Sequence, residues 1–151
     1  MALLAQDRVA KAPELKEGDG PYAQLIIRGV TIIDGTGAPP FGPVDIEIKG
    51  NRITKVQVVG YPDVAINEEG RPKLEANGKE INANGMYVLP GFIDLHGHIG
   101  GSQAPIAEYV FKLWMAHGIT TIRDPSAGNG LDWVLDQKKK SAANQITAPR
   151  I

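Results

Sequence analysis

Cysteine is absent from this 151-residue chain, so no disulfide framework exists and the redox compartment is left open. Neither sign of charge dominates, with 16 Lys and Arg against 17 Asp and Glu. That balance gives no indication of nucleic acid or of an anionic membrane surface as a partner. Apolar runs stay below the roughly 20 residues of a membrane span, and Met1–Gln6 is too short for a signal peptide. We therefore expect a soluble protein, cytoplasmic by default, or periplasmic or secreted if a signal peptide has been removed.

Glycine and proline, by contrast, are plentiful, with 18 and 11 residues. Such usage is typical of many short strands joined by tight turns. The apolar content of 42% suffices for one ordinary domain. Residues 1–22 mix polar and apolar types without a period and are interpreted as a loose N-terminal arm.

A β-hairpin is predicted in the first half of the chain. Apolar and charged residues alternate over Val44–Lys49, as in an antiparallel strand with one buried face, and Asp45 is expected on the exposed face. Gly50–Asn51 then predicts a two-residue hairpin loop. The return strand alternates less well, and a bulge in it would bring both Ile53 and Val56 inward.

Further strands are predicted on both sides of this hairpin, so that residues 23–89 form a small all-β module. Residues 60–79 are polar and rich in glycine and proline, which predicts a surface loop. Asn84–Gly85 is typical of a type I′ turn between two antiparallel strands. The additional strands are expected at Leu25–Ile27, Val30–Ile33, Glu80–Ala83 and Met86–Leu89.

The residues suited to chemistry concentrate in Val88–Gly101, which is interpreted as a strand that follows a turn at Pro90–Gly91. Side chains alternate faces along a strand, so Asp94, His96 and His98 would share one face and apolar residues the other. Two imidazoles at positions i and i+2 can bind one metal ion. His-x-His alone is a weak signal, but all three histidines of the chain lie between residues 96 and 117.

After Gly101 the hydrophobic period changes from two to 3.6 residues, which predicts helices. One helix is expected to end near His117, followed by a strand over Ile119–Asp124 and a second helix. Ala148–Ile151 would start a third strand. Strands that alternate with helices predict a parallel sheet. The apolar faces of the two helices are expected to carry Ile106, Tyr109, Val110 and Leu113, and Leu131, Val134, Leu135 and Ala142.

Leu89–His98 resembles the first barrel strand of the amidohydrolase superfamily, a group of metal-dependent hydrolases. Gly29–Asp34 and Asp45–Ile53 are similar to its early sandwich strands, and Ala116–Asp124 to the passage into its second barrel strand. The resemblance implies an α/β fold with a small all-β module. That fold would be the N-terminal part of a β-sandwich, followed by the first strands and helices of a TIM (β/α)₈ barrel. The expected domains are an arm at 1–22, a sandwich portion at 23–89, and two to three βα units at 90–151.

The resemblance also implies a metal site. His96 and His98 would bind a divalent metal, zinc in the first instance, in a site of one or two ions. Asp94 would either hydrogen-bond within the barrel or bind metal. Asp124 would line the pocket or brace the histidines, or else cap the turn that follows it. His117 is expected to be structural, because it falls at a helix C-terminus.

The implied reaction is hydrolysis of an amide or other C–N bond by metal-activated water, nearest to the imidazolonepropionase-like and prolidase-like members. Two alternatives stay open: a deaminase of the same superfamily, and a non-catalytic, barrel-shaped assembly protein. The expected substrate is a small-molecule amide. Neither nucleic acid nor a membrane is expected as a partner.

A complete barrel takes about 250 residues, so this chain would hold only its beginning. In the superfamily, later strands supply a lysine or glutamate, two further histidines and an aspartate that is also the general base. We therefore expect this chain alone to be inactive. It would act with the remaining C-terminal portion of the enzyme, from the same gene product or a second chain, in a nicked, truncated or two-chain enzyme that is an oligomer.

Overall fold

The computed structural model describes residues 20–100 and 107–151, so nearly all of the predicted N-terminal arm lies outside the described residues. The chain divides into two compact units, Met1–Pro90 and Gly91–Ile151. Within the described ranges, no helix combines the length and apolarity needed to cross a membrane. Strands predominate over the two described helices, and the chain is a mixed α/β protein as predicted.

A five-stranded sheet forms the first unit. Its strands are β1 (Gln24–Ile32), β2 (Phe41–Lys49), β3 (Arg52–Val58), β4 (Gly78–Asn82) and β5 (Tyr87–Val88). Their order is β3-β2-β1-β4, and β5 pairs with β1 farther along the same edge. Strands β1, β2 and β3 are antiparallel neighbours, whereas β4 and β5 both run parallel to β1.

The predicted hairpin is confirmed, but the burial expected of its return strand is wrong. Lys49 pairs with Arg52 across the two-residue loop. The bulge is present, because Glu47 pairs with Lys55 whereas the next residue of β2 pairs with Ile53. Ile53 and Val56 nevertheless stay exposed, at 67% and 46% of their surface. The buried cluster of this unit draws on β1, β2 and Ala83 and does not extend to β3.

Asn84–Gly85 forms a turn, but the predicted antiparallel pairing around it is wrong. β4 before the turn and β5 after it both pair with β1 in the parallel direction, so the chain does not fold back on itself. The Met86 N–H donates to the Ala83 carbonyl at 2.9 Å. Of the two central residues only Gly85 has a positive φ, at 74°. A type I′ turn requires positive φ at both, so the turn type is also corrected.

Asp45 is fully buried, which corrects its expected place on an exposed face. Its neighbours Val44 and Ile46 belong to the apolar core on one side of the sheet. Asp45 points to the other side, where the loop after β3 supplies Arg71 as its partner. Strand alternation identified the two faces correctly but could not indicate that a loop covers the polar one.

The Asp45 carboxylate is held by four hydrogen bonds. Arg71 donates from Nε to Oδ2 at 2.8 Å and from Nη2 to Oδ1 at 3.0 Å. Arg28 Nη1 and the Gly29 N–H each donate at 3.0 Å. Burial raises the pKa of Asp45, but the bonds from Arg71, Gly29 and Arg28 together outweigh burial, so the pKa lies below its ordinary value.

Gln24, also buried, fixes a second point of the same loop. Its Nε2 donates to Glu47 Oε1 at 2.7 Å and to the Lys73 carbonyl at 3.1 Å. Its Oε1 accepts the Glu75 N–H at 2.8 Å. The predicted surface loop at residues 60–79 is confirmed up to the start of β4, and polar contacts attach it to the sheet.

The second unit alternates strands and helices, as predicted. Its elements are β6 (Phe92–Asp94), α1 (Ala107–Ala116), β7 (Ile119–Ile122) and α2 (Leu131–Ala142). β6 and β7 pair in the parallel direction. Next to β7, the Arg150 N–H donates to the Thr120 carbonyl at 2.9 Å and the Ile122 N–H donates to the Arg150 carbonyl at 2.8 Å, so a third parallel segment begins there.

The helix faces that pack in this unit agree only in part with the predicted ones. Val134 packs against the buried cluster as expected. Tyr109 is 61% and Leu131 64% exposed, although both were expected in the core. Phe111 of α1 is buried instead and stacks on Trp114 with ring centroids 6.4 Å apart. Apolar residues surround nearly all of α1, so periodicity could not select the buried face. Leu113 and Leu135 are likewise exposed, and Ile106 lies outside the described residues.

We expect Asp45→Asn to lower the free energy of unfolding of the first unit by about 3 kcal/mol at pH 7. This is the lower end of the loss for breaking a buried ion pair, because Arg28 and Arg71 keep 17% and 14% of their side-chain surface exposed. Hydrogen exchange of the β1 and β2 amides and urea unfolding measure the change.

The same variant should respond less to acid. Because the pKa of Asp45 is lowered in the folded chain, its stabilising contribution is fully present above the ordinary carboxyl pKa of about 4 and is lost as the pH falls through the folded-state value. Glu69→Gln removes an exposed carboxylate from the same loop and should change stability by less than about 0.5 kcal/mol. Equal losses in both variants would contradict the role of Asp45.

Candidate metal centre

The strand predicted to carry Asp94, His96 and His98 ends before the histidines, which corrects the sequence interpretation. It begins after Pro90–Gly91 as predicted, but β6 covers only Phe92–Asp94. His96 lies in a turn directly after β6, and His98 lies beyond that turn. The strict alternation of faces therefore ends at Asp94, and the turn decides where the two imidazoles point.

Asp94 shapes this turn through its carboxylate. Its Oδ1 accepts the backbone N–H of His96 at 2.9 Å, an arrangement in which an aspartate side chain replaces a backbone acceptor. The chain nevertheless stays beside the continuation of β7. The Arg123 N–H donates to the Asp94 carbonyl at 2.8 Å, and the Gly97 N–H donates to the Arg123 carbonyl at 3.1 Å.

Gly97 lets the backbone between the histidines pass close to the core. A Cβ at this position would lie 3.3 Å from Trp114 Cζ2 and 3.5 Å from Ile122 Cβ. Ile99, two residues later, is buried in the cluster with Phe111 and Ile122. The segment that carries the histidines is thus attached to the core on both sides of His98.

His96 and His98 lie side by side on the surface of the second unit. Their ring centroids are 5.0 Å apart, and the ring planes meet at 75°. Two imidazoles on one tetrahedral zinc ion, with Zn–N distances of about 2.0–2.1 Å, have centroids about 5 Å apart. The same separation also suits an edge-to-face contact between rings. The pair therefore has the donor chemistry and the spacing of two ligands on one ion.

These two imidazoles do not form a complete site by themselves. Over residues 20–100 and 107–151, no group of three or more His, Cys, Asp or Glu side chains is placed to hold a metal ion. A tetrahedral zinc site takes four ligands. At least two further donors must come from outside the described residues or from solvent.

Asp124 is buried at the end of β7, with 1% of its side chain exposed. Its Oδ1 accepts the N–H groups of Ser126 at 2.9 Å and Ala127 at 3.2 Å, and its Oδ2 accepts the Ile99 N–H at 3.3 Å. Burial raises the pKa of Asp124, but these bonds outweigh burial and leave the pKa below its ordinary value. Asp124 therefore joins the loop after β7 to the segment that carries His98.

Ser126 contacts the candidate ligand directly and was not identified from the sequence. Its Oγ lies 2.9 Å from His98 Nδ1 and 3.3 Å from Asp124 Oδ1. His98 Nδ1 is 3.8 Å from Asp124 Oδ1, beyond hydrogen-bond distance. The sequence did contain a signal for it. Ser126 belongs to the polar run after β7, and parallel strands bring the residues that follow them to the same edge of the sheet.

His117 follows α1, and its Nδ1 lies 2.7 Å from the Leu113 carbonyl of that helix. It borders an open hollow of about 670 Å³ on the same unit. Apolar residues of the β6 segment form much of this hollow and are more than half exposed: Phe92, Ile93 and Leu95. The hollow thus combines His96 with an uncovered apolar surface.

Comparisons with known proteins found relatives among both sequences and solved structures. No family model matches the chain. An adenine deaminase of Bacillus subtilis (strain 168) is 35% identical over 111 residues, which cover 66% of this chain and 19% of that enzyme. The chain thus spans about a fifth of the length of this curated relative.

Two solved structures share the fold. Phenylurea hydrolase B superposes with a TM-score of 0.65 and 20% identity, over 85% of this chain and 29% of that one. Molinate hydrolase superposes with a TM-score of 0.63 and 23% identity, over 86% of this chain and 29% of that one. The chain belongs to the amidohydrolase superfamily, and it matches a small N-terminal part of the members.

Proposed function

We propose that this chain supplies the first two metal ligands of an enzyme that hydrolyses a C–N bond. The observation that carries the proposal is the His96–His98 pair, with ring centroids 5.0 Å apart immediately after β6. Strand ends of this kind hold the catalytic groups in (β/α)₈ barrels. The relation to the superfamily supports reading the second unit as the first βα units of such a barrel and the first unit as part of a β-sandwich.

The residues of this chain would have different roles in binding one divalent ion, with zinc as the first candidate. His96 and His98 donate neutral imidazole nitrogens. Asp94 fixes the turn that carries His96, and Asp124 fixes the segment that carries His98. The bound ion would lower the pKa of a water molecule and polarise the substrate carbonyl. A second ion would require ligands beyond those described.

Two proposals differ in the C–N bond that the enzyme would cleave. An amide substrate is the first, and the fold shared with molinate hydrolase and phenylurea hydrolase B is compatible with it. A deaminase is the second, favoured by the similarity to an adenine deaminase. Both reactions add water to a carbon bonded to nitrogen, so the same pair of imidazoles could serve either one.

We also propose that the chain works with the remaining C-terminal portion of the enzyme, from the same gene product or a second chain. Exposed apolar residues in each unit support this. In the second unit Phe92, Ile93 and Leu95 are 58%, 63% and 67% exposed. In the first unit β3 lies at an edge of the sheet, with Ile53 and Val58 67% and 57% exposed. Unpaired edges and apolar surfaces of this kind are normally covered.

Metal analysis tests the ligand assignment. The purified protein, with whatever polypeptide completes it, should hold about one or two divalent ions. His96→Ala and His98→Ala should each weaken binding by more than about 100-fold, since the loss of a direct ligand exceeds the 10–100-fold cost of losing a supporting contact. Elemental analysis and competition with a chelator measure this.

His117→Ala is the matched control, because it removes the remaining histidine of the chain, and metal content should not change. Absence of bound metal in the wild-type protein, with no effect of the His96 and His98 variants, would favour the non-catalytic assembly protein.

Substrate assays separate the two reactions. We expect the assembled enzyme to hydrolyse N-acyl amino acids or dipeptides, detected by release of a free amine. Adenine, followed by ammonia release, is the comparison substrate. Turnover of adenine without turnover of any amide would replace the amide proposal by the deaminase. The 151-residue chain by itself should show neither activity, because its described residues do not complete a metal site.

Gel electrophoresis and intact mass measured on the folded sample test the partner proposal. We expect a longer polypeptide, or this chain together with a second one, that buries a large apolar interface. A single stable monomer of 16.2 kDa with a sharp melting transition would contradict it.

A further inference from the structure

We propose that Ser126 is a positioning residue that fixes the ring orientation and tautomer of His98, so that Nε2 is the nitrogen presented to a metal ion. The proposal rests on the function proposed above, because it assumes that His98 is a ligand. The carrying observation is a continuous chain of hydrogen-bonding atoms from Asp124 through Ser126 to His98.

The direction of the hydrogen bonds follows from the chemistry of the first group. An ionised carboxylate can only accept hydrogen bonds. Ser126 Oγ lies 3.3 Å from Asp124 Oδ1, so the serine hydroxyl is the donor in that contact. A hydroxyl has a single proton, and once that proton is directed at Asp124, only lone pairs remain on Oγ.

The tautomer of His98 follows from this direction. Its Nδ1 lies 2.9 Å from Ser126 Oγ, which in this state can only accept. Nδ1 must then carry the proton and donate it to Oγ. A neutral imidazole has one N–H and one unprotonated nitrogen, so Nε2 keeps its lone pair. An N–H on the far side of the ring is the usual arrangement of a histidine that binds metal.

Asp124 is suited to anchor the chain of bonds because the backbone holds it in place. Three N–H groups, from Ser126, Ala127 and Ile99, converge on its two oxygens. Its side chain is 1% exposed, whereas that of His98 is 53% exposed. The buried Asp124 carboxylate is therefore the fixed end of this chain of hydrogen bonds. Ser126 bridges the 3.8 Å between Asp124 Oδ1 and His98 Nδ1 and so orients the exposed ring.

His96 provides an internal comparison. Among the described residues, its ring has the edge-to-face contact with His98 but no hydrogen bond comparable to that of Ser126. Removing the Ser126 hydroxyl should therefore change the tautomer of His98 and leave that of His96 unaltered. A general disturbance of the loop would affect both rings.

The experiment compares Ser126→Ala with Ser126→Thr in the complete protein, freed of metal and labelled with ¹⁵N at histidine. Long-range ¹H–¹⁵N correlation spectra report which nitrogen of each ring carries the proton. We expect wild type and Ser126→Thr to show His98 protonated at Nδ1. Ser126→Ala should show a mixture of both tautomers at His98 and an unchanged His96.

Zinc affinity, measured by competition with a chelator, is the second readout. Ser126→Ala should bind Zn²⁺ about 10–100-fold more weakly, the usual cost of losing a contact that orients a ligand, and Ser126→Thr should restore binding. Ser141→Ala is the matched control, since it removes another serine hydroxyl bond in the same unit, to the Pro149 carbonyl at 2.7 Å. It should alter neither readout.

An unchanged His98 tautomer and unchanged zinc affinity in Ser126→Ala would overturn the proposal, and so would a loss that Ser126→Thr does not restore. A shifted tautomer combined with zinc binding that is insensitive to His98→Ala would have a different meaning. It would support the positioning of His98 by Ser126 and overturn the proposed function.

Discussion

The parallel pairing of β6 with β7 is the constraint on which the candidate site depends. Parallel neighbours end at the same edge of a sheet, so residues 28 positions apart, His98 and Ser126, come within 2.9 Å of each other. α1 makes this pairing possible because it returns the chain to the start of the next strand. Phe111 and Trp114 of α1 pack into the cluster that also holds Ile99 and Ile122, and this packing secures the strand ends.

In the first unit, a buried carboxylate has an equivalent organising role. Asp45 and the two arginines bonded to it attach an irregular loop to one face of the sheet, whereas the other face carries the apolar core. Asp45 and Asp124 share one physical principle. In each case hydrogen-bond donors offset the cost of burial and keep the carboxyl ionised: two arginines and a backbone N–H at Asp45, and backbone N–H groups with the Ser126 hydroxyl at Asp124. Both carboxylates thereby fix segments that have no regular secondary structure.

The proposed activity is consistent with the contacts of the described residues. Two imidazoles meet after a strand, held by Asp94, Asp124 and Ser126, but the described residues complete no metal site. The chain spans only 19% of the adenine deaminase that it resembles. The exposed apolar side chains of Phe92, Ile93 and Leu95 line the hollow that His96 borders. The C-terminal portion proposed above would supply the further metal ligands and cover this apolar surface.

The sequence by itself determined the order of elements, the hairpin at Gly50–Asn51 and the strand–helix alternation after Pro90, because these follow from local periodicity and turn chemistry. It also singled out His96 and His98 as candidate ligands. Only the tertiary structure decided that β4 and β5 both pair with β1, that Asp45 is buried, that Phe111 rather than Tyr109 packs, and that Ser126 reaches His98. Each of these depends on contacts between residues distant in sequence. Local patterns do not encode such contacts, since β pairing and the choice of a helix face are settled by which surfaces meet when the chain folds.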